Sequence, residues 1–140
     1  MKPNLSFLFR LIVAVILLQS LYFKFTANAQ AIHIFQTLGV EPWGRHALGV
    51  IELLVGLSLL FPKTQIKASF LAVAILLGAV GTHLFTPVGI EVTWNGQSDQ
   101  GKLFLMAIIA LILSLANIVW NARKKKVSAL RLFLQEFLPL

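Results

Sequence analysis

The chain contains no cysteine, which removes structural disulfides, CxxC redox chemistry, thiolate metal sites and iron–sulfur ligation from what it can do by itself. Charge is scarce as well: 12% of the 140 residues are Asp, Glu, Lys or Arg, against about a quarter in a soluble domain. No internal repeat or low-complexity segment stands out. The little charge present is lopsided, 12 Lys and Arg against 5 Asp and Glu for a net +7. A nucleic-acid binder would need a basic face on a soluble fold. Here the positive residues collect in short connections and a tail, so they report orientation in a bilayer, and nucleic acid is not an expected partner. What is abundant is apolar: 58% of the residues are hydrophobic and the mean hydropathy is +0.85. That composition belongs to one small integral membrane domain whose first partner is lipid.

Runs of about 18 to 22 apolar residues cross a bilayer core as helices, and they fall at 7–27, 44–61, 67–85 and 102–121. Pro42, Pro62 and Pro87 punctuate them, and Asn95-Gly96 makes a turn before the last. The expected fold is an all-α membrane four-helix bundle over residues 1–126, followed by a tail at 127–140. With the N-terminus inside, the inner side holds Lys2, Arg10, Lys63, Lys67, Arg123, Lys124, Lys125, Lys126 and Arg131, while the outer side holds Arg45 and Lys102. The positive-inside rule therefore places both termini in the cytoplasm. The stretch LLQSLYFKFTANAQ at 17–30 also resembles the end of a cleavable signal, closing on Ala27-Asn28-Ala29. Tyr22, Phe23 and Phe25 around a lysine are not the short polar region of a signal, and the retained helix is the expected reading. In the tail, Leu130, Phe133, Leu134, Phe137 and Leu138 recur at helical spacing behind a basic cluster, which predicts an amphipathic helix on the inner membrane surface.

Ionisable groups within spans face the protein or water and mark functional sites. Glu52 lies roughly 12 Å into the second span at 1.5 Å per residue. It shares a stripe with Arg45, Gly49 and Gly56, whose glycines admit a second helix, so it points inward. A protonatable carboxyl there suits proton-coupled chemistry or a polar headgroup; the structural alternative is a buried bond to Gln19 or Arg45. Lys24 and His83 lie a turn below the outer surface, where a lysine's ordinary fate is to snorkel and a histidine's is to be a satisfied polar residue. Lys24, Arg45, His46, Glu52 and His83 all occupy the outer half, so they can share a pocket. Gln19 and Lys24 stand about 140° apart on the helical wheel, so only one of their faces is central; Gln19 shares its face with Tyr22 and Thr26, Lys24 with Ser20. His46 and His83 alone are too little to argue for haem, and no metal is expected. In the last span, Ala107, Ala110, Ser114, Asn117 and Asn121 read as a close-packing seam with polar glue. Residues 28–43 carry Ile32, Phe35 and Leu38 at helical spacing, a short interfacial helix capping the pocket, and residues 88–101 read as a compact loop or hairpin.

The first span ending LLQSLYFKFT, the segment GVEPWGRHALGVIELLVGLSLLFP, then LLGAVGTHLF and GIEV together resemble the DoxX family of small bacterial membrane proteins, over about residues 8–120. The most specific part is the glutamate followed by a glycine-bearing apolar run, with Lys24 late in the first span and His83 late in the third. The resemblance implies four spans with the first retained, an inner-membrane location and a loose association with redox physiology. Some relatives resemble the membrane subunit of thiosulfate:quinone oxidoreductase; others look like membrane partners of oxidant-defence enzymes. The expectation that follows is a quinone- or small-substrate-binding subunit of an oxidoreductase rather than a complete enzyme. In it Glu52, Lys24 and His83 carry proton chemistry and Arg45, His46 and Gln19 contact substrate. Two rival readings are a scaffold for a soluble oxidant-defence or sulfur-metabolism enzyme and a small proton-coupled carrier. Small-residue seams permit a homodimer without requiring one.

Overall fold

The computed structural model describes residues 4–138; Lys2 of the charge count and the last two tail positions lie outside them. The elements are α1 (Leu5–Phe25), α2 (Ala29–Thr37), α3 (Trp43–Leu60), α4 (Gln65–Phe85), the strands β1 (Thr93–Trp94) and β2 (Gln97–Ser98), α5 (Lys102–Lys124) and α6 (Ala129–Phe137). Of these, α1, α3, α4 and α5 are long and apolar enough to cross a membrane. The protein is an all-α, multi-pass membrane bundle.

The helix ends have local causes. Asn4 caps α1 by accepting from the Ser6 N–H at 3.1 Å, which starts the helix ahead of the apolar run. α5 continues past its apolar run through Arg123 and Lys124, since cations are favourable at a helix C-terminus. It stops when Lys126 turns left-handed (φ 56°) and the Val127 and Lys126 amides donate to the Ala122 and Arg123 carbonyls, both at 3.0 Å. That pair of bonds is the helix-ending motif usually made by glycine.

The four long helices form a ring in which α1 and α4 each pack on both α3 and α5. Val13, Ala14 and Leu17 of α1, Val55 and Leu59 of α3, Ala72 and Leu76 of α4, and Ala107 and Ala110 of α5 fill its centre. Outward-facing Leu8, Val15, Leu54, Leu77 and Ile112 are exposed as lipid contact requires. α1 is therefore an integral wall, and the stretch at 17–30 is its C-terminal end through Phe25 followed by the turn into α2. α1 and α3 run antiparallel and are clamped reciprocally. Arg10 of α1, only 5% exposed, donates from Nη1 to the Leu59 carbonyl near the end of α3 at 2.7 Å. Arg45 of α3 donates from Nη1 to the Lys24 carbonyl near the end of α1. Each cation satisfies a carbonyl that its partner helix cannot. The inward position of Arg10 differs from its expected place among the surface charges.

At the basic end the polar seam closes on itself. Asn117 accepts from Ser6 Oγ at 2.6 Å and donates to Gln65 Oε1 at 2.9 Å and Ser69 Oγ at 2.8 Å, and Gln65 donates to Asn121 Oδ1 at 3.1 Å. This network ties α1, α4 and α5 together, the structural role read from the stripe. α6 forms as the expected amphipathic helix and packs on the bundle. It folds back so that Leu132 is fully buried against Ile118 and Ala122, while the Phe133 and Phe137 rings meet Phe70 edge-on at 5.2 and 6.1 Å. Leu130, Leu134 and Leu138 remain exposed, so the helix has one face for the bundle and another for lipid.

The α1–α3 contact sets a stability test. A Cβ on Gly56 would lie 2.9 Å from Leu18 Cδ2, whereas one on Gly78 would meet nothing within 4 Å. Gly56→Leu is expected to destabilise by about 1–3 kcal/mol through overpacking, and Gly78→Ala to be neutral or mildly stabilising. Thermal unfolding in detergent checks both; equal behaviour of the two variants would refute the close packing.

Candidate ligand site

Gly49, Glu52 and Gly56 share one face of α3, and that face is where α1 approaches. A Cβ on Gly49 would lie 2.8 Å from Phe25 Cζ, so the glycines set the spacing that delivers Glu52 to α1. There Lys24 Nζ stands 2.8 Å from Glu52 Oε2, and Ser20 Oγ, one turn back, stands 2.9 Å from the same oxygen. Lys24 also donates to Ser20 Oγ at 3.0 Å, closing a triangle of ammonium, hydroxyl and carboxylate. The Leu17 carbonyl lies 2.7 Å from Ser20 Oγ, so the single hydroxyl proton goes either to the helix backbone or to the carboxylate. The side chains of Lys24 and Glu52 are 13% and 9% exposed. Hydrogen-bonding capacity remains: Glu52 Oε1 makes no hydrogen bond with the described residues, and one of the three Lys24 N–H donors is unused.

Lys24, Ser20 and Glu52 line a cavity of ≈160 Å³. Its walls are mostly apolar, with Ile16, Leu48, Leu76 and Met106 among them, and its polar groups are Gln19, Ser20, Lys24, Glu52, Thr82 and His83. An apolar cavity of about 150 Å³ accommodates benzene, so the space matches one six-membered ring. Across its outer end lies α2, capped by Asn28, with Ile34, Phe35 and Leu38 turned onto the cavity. The expected cap is therefore present, although its inward stripe uses Ala31, Ile34 and Phe35 where Ile32 was predicted to contribute. Beyond it the hairpin forms at Asn95-Gly96, both with positive φ, as a two-residue turn between paired strands requires. Asp99 fastens this hairpin to α5, accepting from Val92 N at 2.8 Å, Gly101 N at 2.9 Å and Leu103 N at 3.1 Å.

His83 is buried and lines the cavity. Its Nδ1 lies 2.6 Å from the Gly89 carbonyl. A carbonyl only accepts, so Nδ1 carries the proton and Nε2 is the acceptor of the neutral ring. His83 thus donates to a ligand only as imidazolium.

The six residues read from the sequence as site candidates are distributed unequally. Lys24, Glu52, His83 and Gln19 line the cavity, Gln19 at its exposed margin with its amide donating to the Ile16 carbonyl at 3.2 Å. Neither Gln19 nor Arg45 bonds Glu52; Lys24 and Ser20 do. Arg45 is occupied by Glu41, with Nη2 and Oε1 2.8 Å apart, and by the Lys24 carbonyl. It lies outside the cavity wall and positions the backbone that carries Lys24. His46 is exposed and stacks on Phe25 at 6.2 Å, also off the wall. Ser20, noted only as sharing a face with Lys24, is the group that sequence reasoning passed over; its spacing of four residues from Lys24 was the available signal.

The DoxX-like family matches this chain over residues 8–96. The chain belongs to the DoxX-like family. The match covers α1 through the hairpin turn, including every residue of the Lys24, Ser20 and Glu52 triangle and His83, and stops short of α5. Comparison with curated proteins and with solved structures finds no match.

Because a desolvated charge left without its partner is costly, Lys24→Met and Glu52→Leu are each expected to destabilise by about 2–3 kcal/mol, with snorkelling limiting the cost for lysine. The double variant should lose less than the sum, with a coupling of about 1–3 kcal/mol. Unfolding midpoints of the four proteins in one detergent measure this, and strict additivity would mean the pair is not coupled.

Proposed function

We propose that this DoxX-like protein is a membrane subunit that binds a quinone headgroup, or a small polar redox substrate of similar shape, in the cavity beside Glu52. The carrying observation is the conjunction of a ring-sized apolar space with an ion pair that lines it and keeps a donor and an acceptor unspent. Lys24 supplies the donor for a carbonyl oxygen, and Ser20, which accepts from Lys24 at 3.0 Å, steadies that ammonium. Glu52 is the proton-exchanging carboxyl, and its contact with Lys24 and Ser20 provides a hydrogen-bonded route for a proton at the ligand oxygen. His83, with Nδ1 committed to Gly89, contributes Nε2 as an acceptor or, when protonated, as a donor. Arg45 acts at one remove by holding the backbone of Lys24.

Reduction of a quinone takes two electrons and two protons. The cavity residues exchange protons, and electrons are supplied by a partner protein in or at the membrane. The loose link between DoxX relatives and redox enzymes supports this division of labour. Eight Lys and Arg among the described residues lie toward one end of the bundle, which supports cytoplasmic termini with the cavity toward the outside; a bacterial inner membrane is what the family resemblance implies.

The test is purification in mild detergent followed by quantification of extractable quinone per chain, for wild type and Glu52→Gln. The expected result is near-stoichiometric quinone in the wild type and at least about a tenfold loss in the variant, the factor that 1.4 kcal/mol of binding represents. Quinone absent from both would overturn the reading.

A further inference from the structure

A second cavity, ≈230 Å³, runs between α1, α2 and α5. Gln19, Lys24, Phe35, Leu103 and Met106 line both spaces, so the second continues from the first. Gln19 stands six residues before the end of α1, and Met106 four residues after the start of α5. At 1.5 Å per residue the shared wall is roughly 6–9 Å below those helix ends, within the hydrocarbon depth of a bilayer whose core is about 30 Å thick. Gln19 and Phe23 are exposed there, so the crevice reaches the lipid-facing surface between α1 and α5, while α2 roofs it with Gln30 and Ala31. Its polar groups are not free to hold an occupant. Gln30 Nε2 is shielded from contact, and the Asp99 oxygens are engaged by the amides of Val92, Gly101 and Leu103. The Ser20 proton is committed to the Leu17 carbonyl or to Glu52, and the Gln19 amide turns back to the Ile16 carbonyl. Lys102 is exposed at the start of α5, from which a lysine carries its ammonium to the interface. What remains beyond Lys24 is an apolar channel of Phe23, Ala31, Ile34, Phe35, Leu103 and Met106.

We infer that the crevice between α1, α2 and α5 receives an apolar chain attached to the ring that occupies the first cavity, and leads that chain out to the bilayer. The inference rests on the proposed function and narrows its ligand class. A membrane-dissolved quinone with an alkyl or isoprenoid chain fills both spaces, the head beside Lys24 and Glu52 and the first part of the chain along the apolar channel. A small water-soluble substrate fills one and leaves the other empty. Ala31 and Phe23, which line the crevice and not the first cavity, are then the residues that set the preference for a chain.

Two probes that differ only in one substituent test this: tetramethyl-1,4-benzoquinone and 2,3,5-trimethyl-6-decyl-1,4-benzoquinone, each titrated into the purified full-length protein at one detergent concentration. Partition of the chain into micelles then cancels in the ratio of variant to wild type. Ala31→Leu adds bulk to the crevice and is expected to weaken the decyl probe about tenfold and the tetramethyl probe less than about twofold. Because a larger side chain at a buried position can overpack, Phe23→Ala is the second variant. It removes an exposed wall of the channel and is expected to weaken the decyl probe about threefold, again sparing the tetramethyl probe; where Ala31→Leu does not fold, this comparison decides. Loss of the same size for both probes, or for neither, overturns the chain channel. In that case tetramethylbenzoquinone binding by wild type that Glu52→Gln abolishes leaves the reading of the first cavity standing. If wild type binds neither probe, that reading and the channel fall together.

Discussion

The approach of α1 to α3 is the constraint on which the rest of this structure depends. Two glycines seven residues apart on α3 receive Phe25 and Leu18 of α1 so closely that an added Cβ at either would force those side chains to shift. The residue between them on that face, Glu52, has nowhere to go but toward Ser20 and Lys24. At the two ends of the same contact Arg10 and Arg45 each cap a carbonyl of the opposite helix. Small residues in the middle set the distance between the helices, and cation-to-carbonyl bonds at the ends set their register. Lipid offers no hydrophobic incentive for two apolar helices to associate. Close packing and hydrogen bonds must supply it, and this helix pair uses both.

The bundle has two polar layers, and their difference is instructive. The layer at the basic end is neutral and closed: Asn117 spends both amide protons and its oxygen on Ser6, Gln65, Ser69 and Asn121. Nothing there is left over for a ligand. The layer at the other end is charged and incomplete, with Glu52 Oε1 and a Lys24 donor unspent beside open volume. A satisfied network rigidifies, whereas an unsatisfied one beside a cavity keeps hydrogen-bonding capacity in reserve.

Much of this was legible in the chain because bilayer thickness fixes helix length and because glycine and glutamate at spacings of three and four residues can only share a face. The inward seam of α5 was legible for the same reason. Arg10 was not, because a basic residue near the inner end of a span is ordinarily a headgroup contact. Its burial depends on a carbonyl 49 residues away. Arg45 lined up with Glu52 on the helical wheel, yet Glu41, one turn earlier across Pro42, claims it. Periodicity ranks faces and does not rank competing partners. The tail shows the same limit. Its apolar stripe is real, but Leu132, off that stripe, is the residue buried, because docking against Ile118 and Ala122 decides which face turns inward.

An ion pair is a poor device for stability where water is excluded, since apolar residues of similar size commonly hold a bundle at least as well. Lys24 and Glu52 therefore need another justification, and their surroundings supply it. Lys24 had a cheaper alternative: it stands in the last turn of α1, from which its long stem reaches the interface. It turns inward instead, where its ammonium is shared between the carboxylate and Ser20. Holding it there takes Arg45, which fixes the Lys24 backbone while Glu41 neutralises the arginine. Four charged residues and a serine thus hold one ammonium and one carboxylate, partly unsatisfied, beside a ring-sized cavity under a helical cap. Packing alone would require none of them.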